Sequence, residues 1–246
     1  MSVRRTVLLS VVLTVLACAA PVPHFPAPPR HERRVLGESR QGRPIDAIVI
    51  GDGPRVVLFV ATIHGNEAAG TPLLLDFATH LVTHPGEVEG RTVVLVPVAN
   101  PDGLRHGTRA NAAGVDLNRN WPSANFRPSR QTGPKALSEP ESHALWRLIE
   151  KVRPAVVVSI HQPLACVDWD GPAGELAAAM ATACGLPAKK LGARPGSMGS
   201  HVGVDAGIPI VTLELPDRVD AATAWTRFGG ALRLALREED SRPPVP

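Results

Sequence analysis

No tyrosine occurs anywhere in the 246 residues, and aromatic side chains make up only 4% of the chain. A core built from this composition is aliphatic, and any site that wants a phenol has to do without one. Cysteine is nearly as scarce, with three residues at 18, 166 and 184 and no Cys-x-x-Cys pair. That excludes a thioredoxin-like redox motif and a Cys-rich zinc site. An oxidising compartment would permit a disulfide between Cys166 and Cys184, and two small buried thiols fit equally well. An excess of one charge is missing too. Lys and Arg number 26 against 23 Asp and Glu, and two of the 26, Arg4 and Arg5, fall in the N-terminal segment. The remainder is close to neutral, so nothing calls for a nucleic-acid partner. No apolar run reaches the roughly 20 residues that cross a bilayer as a helix.

What the N-terminus does have is a basic start, an apolar run of about a dozen residues and a small-residue end, in "MSVRRTVLLSVVLTVLACAAP". This is the anatomy of a secretory signal, assigned to residues 1–19, and it predicts an exported protein of the periplasm or cell envelope. "VLAC" ending at Cys18 resembles a bacterial lipoprotein box, with Leu16 in a less usual place. Lipidation of Cys18, which would tether the protein to a membrane, and ordinary cleavage near Ala19 are both compatible with it. Behind it, "APVPHFPAPPRHER" carries five prolines in ten residues and reads as a stiff spacer over residues 20–34. The remaining residues, 35–240, suffice for one large α/β domain and are too few for two.

Runs rich in β-branched residues occur at 45–50, 56–63, 92–98, 155–160 and 208–215. Most are too continuous for a sheet with one wet face, so they suit central strands covered on both sides. Helical patterns alternate with them at about 66–83, 138–152, 173–184 and 219–238. The second starts with Ser138, Pro140 and Glu141 in the spacing of a capping box. The expected fold is a three-layer α/β/α sandwich with a mixed, mostly parallel, doubly wound sheet. Its first two strands, joined through "GDGP", are expected to pair as an edge hairpin. The segment from Asn100 to Pro134 is long for a loop in a compact domain, and loops of that length tend to be functional.

Ligands of such sheets bind beyond the carboxyl ends of the strands. His64 follows the second strand, Asn100 the third and His161 the fourth, and Glu214 closes the fifth. A catalytic zinc takes three protein ligands from His and carboxylate and keeps a fourth position open. His64 and Glu67 of "HGNE" supply a close pair and His161 a distant third, with Gly65 allowing the chain to turn. His-x-x-Glu by itself is weak, and a lone strand-end His is more often a hydrogen-bonded structural group. The loop "NPDGLRHGTRANAAGVDLNRNWP" adds Arg109, Asp116, Asn118 and Arg119. Arginine suits bidentate binding of a carboxylate and stabilisation of a developing oxyanion.

These residues resemble the zinc carboxypeptidases, and within them the bacterial murein peptide amidase branch. The likeness spans residues 37 to 235 through "HGNE", "NPDG", "RANAAGVDLNRN", "SIHQPLACVDWDGPA", "PGSMGS" and "IPIVTLELP". It implies one Zn²⁺ held by His64, Glu67 and His161, with Glu214 as general base and Arg109 polarising the scissile carbonyl. Asn118 and Arg119 would hold the substrate's terminal carboxylate, and Asp116 would orient His64. The implied reaction is hydrolysis of the amide between γ-D-glutamate and meso-diaminopimelate in murein-derived peptides, with no obligate protein partner. Members of the family commonly place a tyrosine near the site, and this chain has none. "KKLGARPGSMGSHVG" stands in that region, where Arg194 or His201 could substitute, and His201 is taken as a candidate substrate-binding residue. Two alternatives remain. One is a deacylase of the aspartoacylase and succinylglutamate desuccinylase type, disfavoured by the short segment after Glu214. The other is a non-catalytic peptidoglycan-binding lipoprotein. A serine hydrolase is disfavoured because no Gly-x-Ser-x-Gly elbow occurs.

Overall fold

A computed structural model describes residues 31–237. The signal segment, Cys18, the spacer as far as residue 30 and the last residues of the expected domain, 238–240, lie outside the described residues.

Seven strands form one sheet: β1 (His31–Glu38), β2 (Pro44–Ile50), β3 (Arg55–Ala61), β4 (Arg91–Val96), β5 (Val156–His161), β6 (Leu164–Asp170) and β7 (Ile210–Pro216). Their spatial order is β1-β2-β4-β3-β5-β7-β6. The four central strands, β4, β3, β5 and β7, run parallel, while β1, β2 and β6 run antiparallel to their neighbours. The sheet is therefore mixed and mostly parallel at its centre. Side chains alternate across it. Val57, Phe59 and Ala61 face a layer made by α1 (Gly70–Thr83), α4 (Gly174–Cys184) and α5 (Ala221–Ala235). Leu58 and Val60 face the other layer, with α3 (Pro140–Val152), Leu117, Trp121 and Met198. A short helix, α2 (Pro101–His106), lies in the connection after β4. Phe59 meets Phe77 of α1 edge-on at 5.1 Å. Each such buried side chain stabilises the fold by about 1.5–3 kcal/mol.

The expected hairpin between residues 45–50 and 56–63 does not form. β2 pairs instead with β4, placing Ile48 opposite Leu95, and β3 lies on the far side of β4. The cause is local. Gly53 donates its N–H to Arg91 O, and a Cβ on Gly53 would fall 2.0 Å from the carbonyl carbon of Gly90. The "GDGP" link thus crosses closely over the start of β4. The hairpin partner of β2 is β1, which begins at His31 inside the stretch assigned to the spacer.

Two further expectations change, and one question left open is answered. Ser138 and Glu141 do not form a capping box: Ser138 Oγ donates to Glu139 Oε1 at 2.9 Å. Glu141, fully buried, accepts from Arg40 N at 3.0 Å and Asn111 Nδ2 at 3.1 Å. Cys166 and Cys184 are separate buried thiols rather than a disulfide. Cys166 faces Glu214 across the β6–β7 ladder and Cys184 packs in the opposite layer under α4. Burial pushes both thiols above their ordinary range. Asn100 caps α2, accepting from Gly103 N at 2.8 Å and donating to Ile63 O at 3.1 Å, and takes no place in the cleft beyond the strand ends.

Candidate active site

His64 emerges three residues beyond β3, His161 ends β5, and Glu214 lies near the end of β7 directly opposite His161. The turn after β3 closes through Glu67 N donating to His64 O at 3.0 Å, which swings both side chains toward one point. Gly65 is required there for space rather than for an unusual φ. A Cβ on it would lie 1.9 Å from the carbonyl carbon of Gly103 in α2.

His64, Glu67 and His161 converge, their ligand atoms all within 4.8 Å of one another. His64 Nδ1 lies 2.8 Å from Glu67 Oε1 and 3.2 Å from His161 Nδ1, which in turn lies 2.8 Å from Glu67 Oε2. His64 uses its other nitrogen, Nε2, on Asp116 Oδ1 at 3.0 Å. That bond fixes the ring so that Nδ1 points at the shared centre. Two imidazole nitrogens and a carboxylate, all buried, form a donor set typical of catalytic zinc. The spacing fits as well. Two nitrogens bound tetrahedrally at about 2.05 Å from one zinc lie roughly 3.3 Å apart, and the observed separation is 3.2 Å.

Charge reinforces the arrangement. Burial disfavours the Glu67 carboxylate, but His161 and His64 outweigh it and hold the carboxyl down to about 2. Burial likewise works against His64⁺, yet the hydrogen bonds it donates to Asp116 and Glu67 raise its pKa above 6.5. Asp116 is pulled well below the usual range by His64, Arg109 and Arg119, against the opposing effect of burial. Glu214 goes the other way. Burial raises its carboxyl, with Glu67 adding to the rise and His161 opposing it, and among the described residues its one near donor is Leu164 N at 3.5 Å.

The loop before α3 supplies the cations. Arg109 donates through Nη1 to Glu67 Oε1 at 2.9 Å and through Nε to Asp116 Oδ2 at 3.0 Å. Asp116 Oδ1 also accepts from Asn118 N at 2.9 Å. Asn118 commits its amide oxygen to Met198 N at 2.9 Å, which leaves its amide nitrogen as the donor to a ligand. Arg119 Nη1 donates to the carbonyl of Asn118 at 2.6 Å. Burial, with Arg109 and Arg194 nearby, lowers the Arg119 pKa against the pull of Asp116. Arg109, Asn118 and Arg119, with His64, Glu67, His161, Glu214 and Arg194, line one cleft, and Asp116 sits behind it. The cleft is where an anion and a cleavable carbonyl could be held side by side.

His201 is not brought to the cleft. It lies on a π-helical segment, Gly199–Asp205, and stacks on the buried Trp121 with ring centroids 6.0 Å apart. Of the two proposed replacements for a tyrosine, only Arg194 lines the cleft. The other lining residues, Gln162, Asp168, Asp170, Ser197 and Thr212 among them, were not singled out by sequence reasoning. Gln162 locks the turn in place, donating its N–H to Glu67 Oε2 at 3.2 Å and accepting from Ala69 N at 3.0 Å. The signal for the aspartates was present in "CVDWD", a period-two alternation typical of a strand with two unlike faces.

Comparison with known proteins agrees with this geometry. A family model described as zinc carboxypeptidase matches residues 27–165. Murein peptide amidase A of Escherichia coli K12 is 38% identical over 206 residues, covering 76% of this chain and 82% of that protein. The crystal structure of murein-tripeptide amidase from Escherichia coli O157 superposes with a TM-score of 0.68 at 32% identity, covering 89% of this chain and 95% of the other. Carboxypeptidase A of Helicoverpa armigera shares the fold at a TM-score of 0.71 and 22% identity, over 84% and 68% of the two chains. With a family match over more than half of its length and a convergent His, Glu and His donor set, the chain belongs to the zinc carboxypeptidases, as a hydrolase that uses one zinc ion.

Proposed function

We propose that the protein hydrolyses the amide between γ-D-glutamate and meso-diaminopimelate in murein-derived peptides. The observation that carries this reading is the cleft itself, where a convergent metal donor set, an underpartnered carboxylate and an anion-holding Asn–Arg pair meet at three adjacent strand ends. Its likeness to murein peptide amidase A over most of both chains supports the choice of substrate.

His64, Glu67 and His161 hold the zinc, and Asp116 keeps His64 in the tautomer that presents Nδ1. Zinc held by these three side chains would supply Lewis-acid activation of a water and of the scissile carbonyl. Asn118 and Arg119 grip the free carboxylate of the leaving residue, which sets the scissile bond beside Glu214. Glu214 takes a proton from the attacking water at its carboxylate and passes it to the nitrogen of the leaving amine. Its raised pKa suits both halves of that task. Arg109, anchored by Glu67 and Asp116, aims its guanidinium at the carbonyl oxygen as charge develops there.

The test is amine release from L-alanyl-γ-D-glutamyl-meso-diaminopimelate by the zinc-loaded protein, set beside an ordinary α-linked tripeptide. Preferential cutting of the γ-linked peptide is expected, and cutting of the α-linked one alone would refute the substrate assignment. We also propose export to the cell envelope with Cys18 as a lipid anchor, on the strength of the N-terminal segment and its "VLAC" ending. Membrane fractionation of the native chain beside Cys18→Ala checks this, and an unchanged distribution would remove the anchor.

A further inference from the structure

Among the described residues, four positions other than glycine have a positive φ: Thr62, Leu137, Arg153 and Ala165. Thr62, at φ 54°, is the only one of them that is β-branched and the only one fully buried. A left-handed conformation is an outlier for such a side chain, and it persists only where the surroundings over-determine it. Thr62 stands directly after β3, with Ile63 between it and His64.

The packing on either side shows what this kink does. Side chains of a regular strand alternate between its two faces, and β3 obeys as far as Ala61: Phe59 and Ala61 lie in the α1 layer, Leu58 and Val60 in the α3 layer. Continued alternation would turn residue 62 toward α3 and residue 63 toward α1. Both are exchanged. Ile63, 1% exposed, packs in the α3 layer. The Thr62 hydroxyl donates to Thr71 Oγ1 of α1 at 2.8 Å, and Thr71 donates in turn to Pro97 O at 2.8 Å. The backbone is held from the other side, with Ala99 N donating to Ala61 O at 3.1 Å, Asn100 N to Thr62 O at 3.0 Å and Asn100 Nδ2 to Ile63 O at 3.1 Å. The chain therefore leaves the sheet on a fixed course, Ile63 sunk as an anchor and His64 carried past the strand end, its Nδ1 3.2 Å from Nδ1 of His161.

We propose that Thr62 is a positioning residue for the metal: its left-handed turn, pinned by the Thr62–Thr71 hydroxyl pair, inverts the alternation of β3 and so delivers His64 to Glu67 and His161. Valine has the same shape, so at position 62 it would keep the steric cost of this conformation and lose the bond that overrides it. The chain would relax toward extended backbone and draw His64 off the shared centre. Glycine would take up the same turn without that cost. The inference deepens the proposed function through its zinc site and is independent of which peptide is cut.

Competition titration of zinc into the metal-free protein reads the effect without turnover. Thr62→Val should weaken zinc binding about tenfold or more. Thr62→Ser, which keeps the hydroxyl, and Thr62→Gly, which keeps the turn, should both bind within about threefold of the native chain. Melting of the metal-free forms separates positioning from packing, because a threonine that served packing alone would lower Tm in the valine and glycine variants and leave zinc affinity unchanged in both. Thr71→Val removes the same hydroxyl pair from the α1 side, should weaken zinc binding by more than about threefold, and decides the matter if Thr62→Val does not fold. Zinc binding within threefold of native in every valine variant that folds overturns the proposal. A loss in Thr62→Gly equal to that in Thr62→Val overturns it too, since the left-handed turn would then not be what places His64. The native chain binding zinc, with the variants in the expected order, but leaving the γ-D-glutamyl peptide uncut overturns the murein reading and leaves the role of Thr62 standing.

Discussion

Glu214→Gln separates the chemistry of this site from its architecture. The side chain is 9% exposed and, among the described residues, its one near donor is a backbone N–H at 3.5 Å. Exchange of one oxygen for an amide nitrogen keeps the shape of the cleft and removes the proton acceptor. A positioned general base is worth roughly 10²–10⁴ in rate, so kcat should fall about 10³-fold, equivalent to about 4 kcal/mol of barrier. Stability should move the other way. A neutral amide relieves a desolvated, weakly partnered carboxylate, and about 1 kcal/mol gained corresponds to a Tm rise of roughly 2–4 °C in a protein of this size. Zinc content should stay at one per chain, because the three convergent donors are untouched. Parallel measurement of kcat, Tm and bound metal decides the matter. Activity within tenfold of the native value would refute the base assignment, and loss of zinc or a Tm lowered by several degrees would refute the claim that Glu214 serves chemistry rather than architecture. The pH profile supplies a further check. Burial raises this carboxyl in the metal-free protein and a bound zinc ion opposes that rise, so an acid limb of kcat/KM that belongs to Glu214 should be present in the native enzyme and vanish in the variant.

The surrounding residues make equally specific demands. Asp116→Asn removes the acceptor that orients His64 and one anchor of Arg109, so zinc affinity by competition titration should drop 10–100-fold. Asn111 donates to Glu139 Oε2 at 2.8 Å and Glu141 Oε2 at 3.1 Å, and accepts from Ala113 N and Val115 N. Asn111→Ala should therefore lower unfolding stability by about 2–4 kcal/mol in urea and reduce kcat through a loosened Arg109 with zinc content unchanged. Chelation of a metal present at a thousandfold excess over its Kd removes about 4 kcal/mol, which should appear as a Tm loss of about 8–16 °C. The metal-free and zinc-loaded forms should also respond oppositely to pH. The folded-state pKa of His64 is raised, so its contribution to the metal-free fold is complete below 6.5 and fades as pH rises through the raised value. Zinc competes with that proton, so the zinc-loaded form should lose metal and stability as pH falls through the same window. Thermal melts of both forms between pH 5 and 9 test the sign.

How far the sequence reveals such a molecule depends on which physical demand wrote each residue. The central strands are readable because burial on both faces admits only continuous apolar runs, and the site is readable because those runs stop where a ligand begins. His64, His161 and Glu214 stand out by their position at strand ends, while Glu67, Arg109, Asp116, Asn118 and Arg119 stand out by their spacing. Edge strands answer a different demand. β1, "HERRVLGE", opens on a run of charges and β6, "LACVDWD", carries them on alternate residues, so a search for apolar runs passes over both and misplaces the hairpin at the edge. The spacing of Ser138 and Glu141 matches a helix cap, yet burial turns Glu141, with Glu139, into an anchor for Asn111 and the catalytic loop. No local pattern could show that, because the partners lie 28 and 30 residues away. The same limit explains His201 and Arg194. Arg194 precedes the π-helical stretch Gly199–Asp205 and lines the cleft, whereas His201 lies within that stretch and stacks on Trp121. Asp168 and Asp170 invert the usual reading altogether. On β6 Trp169 is the more exposed and the aspartates are buried, the reverse of what hydropathy dictates, and such an inversion makes physical sense where that side of the strand faces a polar cleft instead of a core.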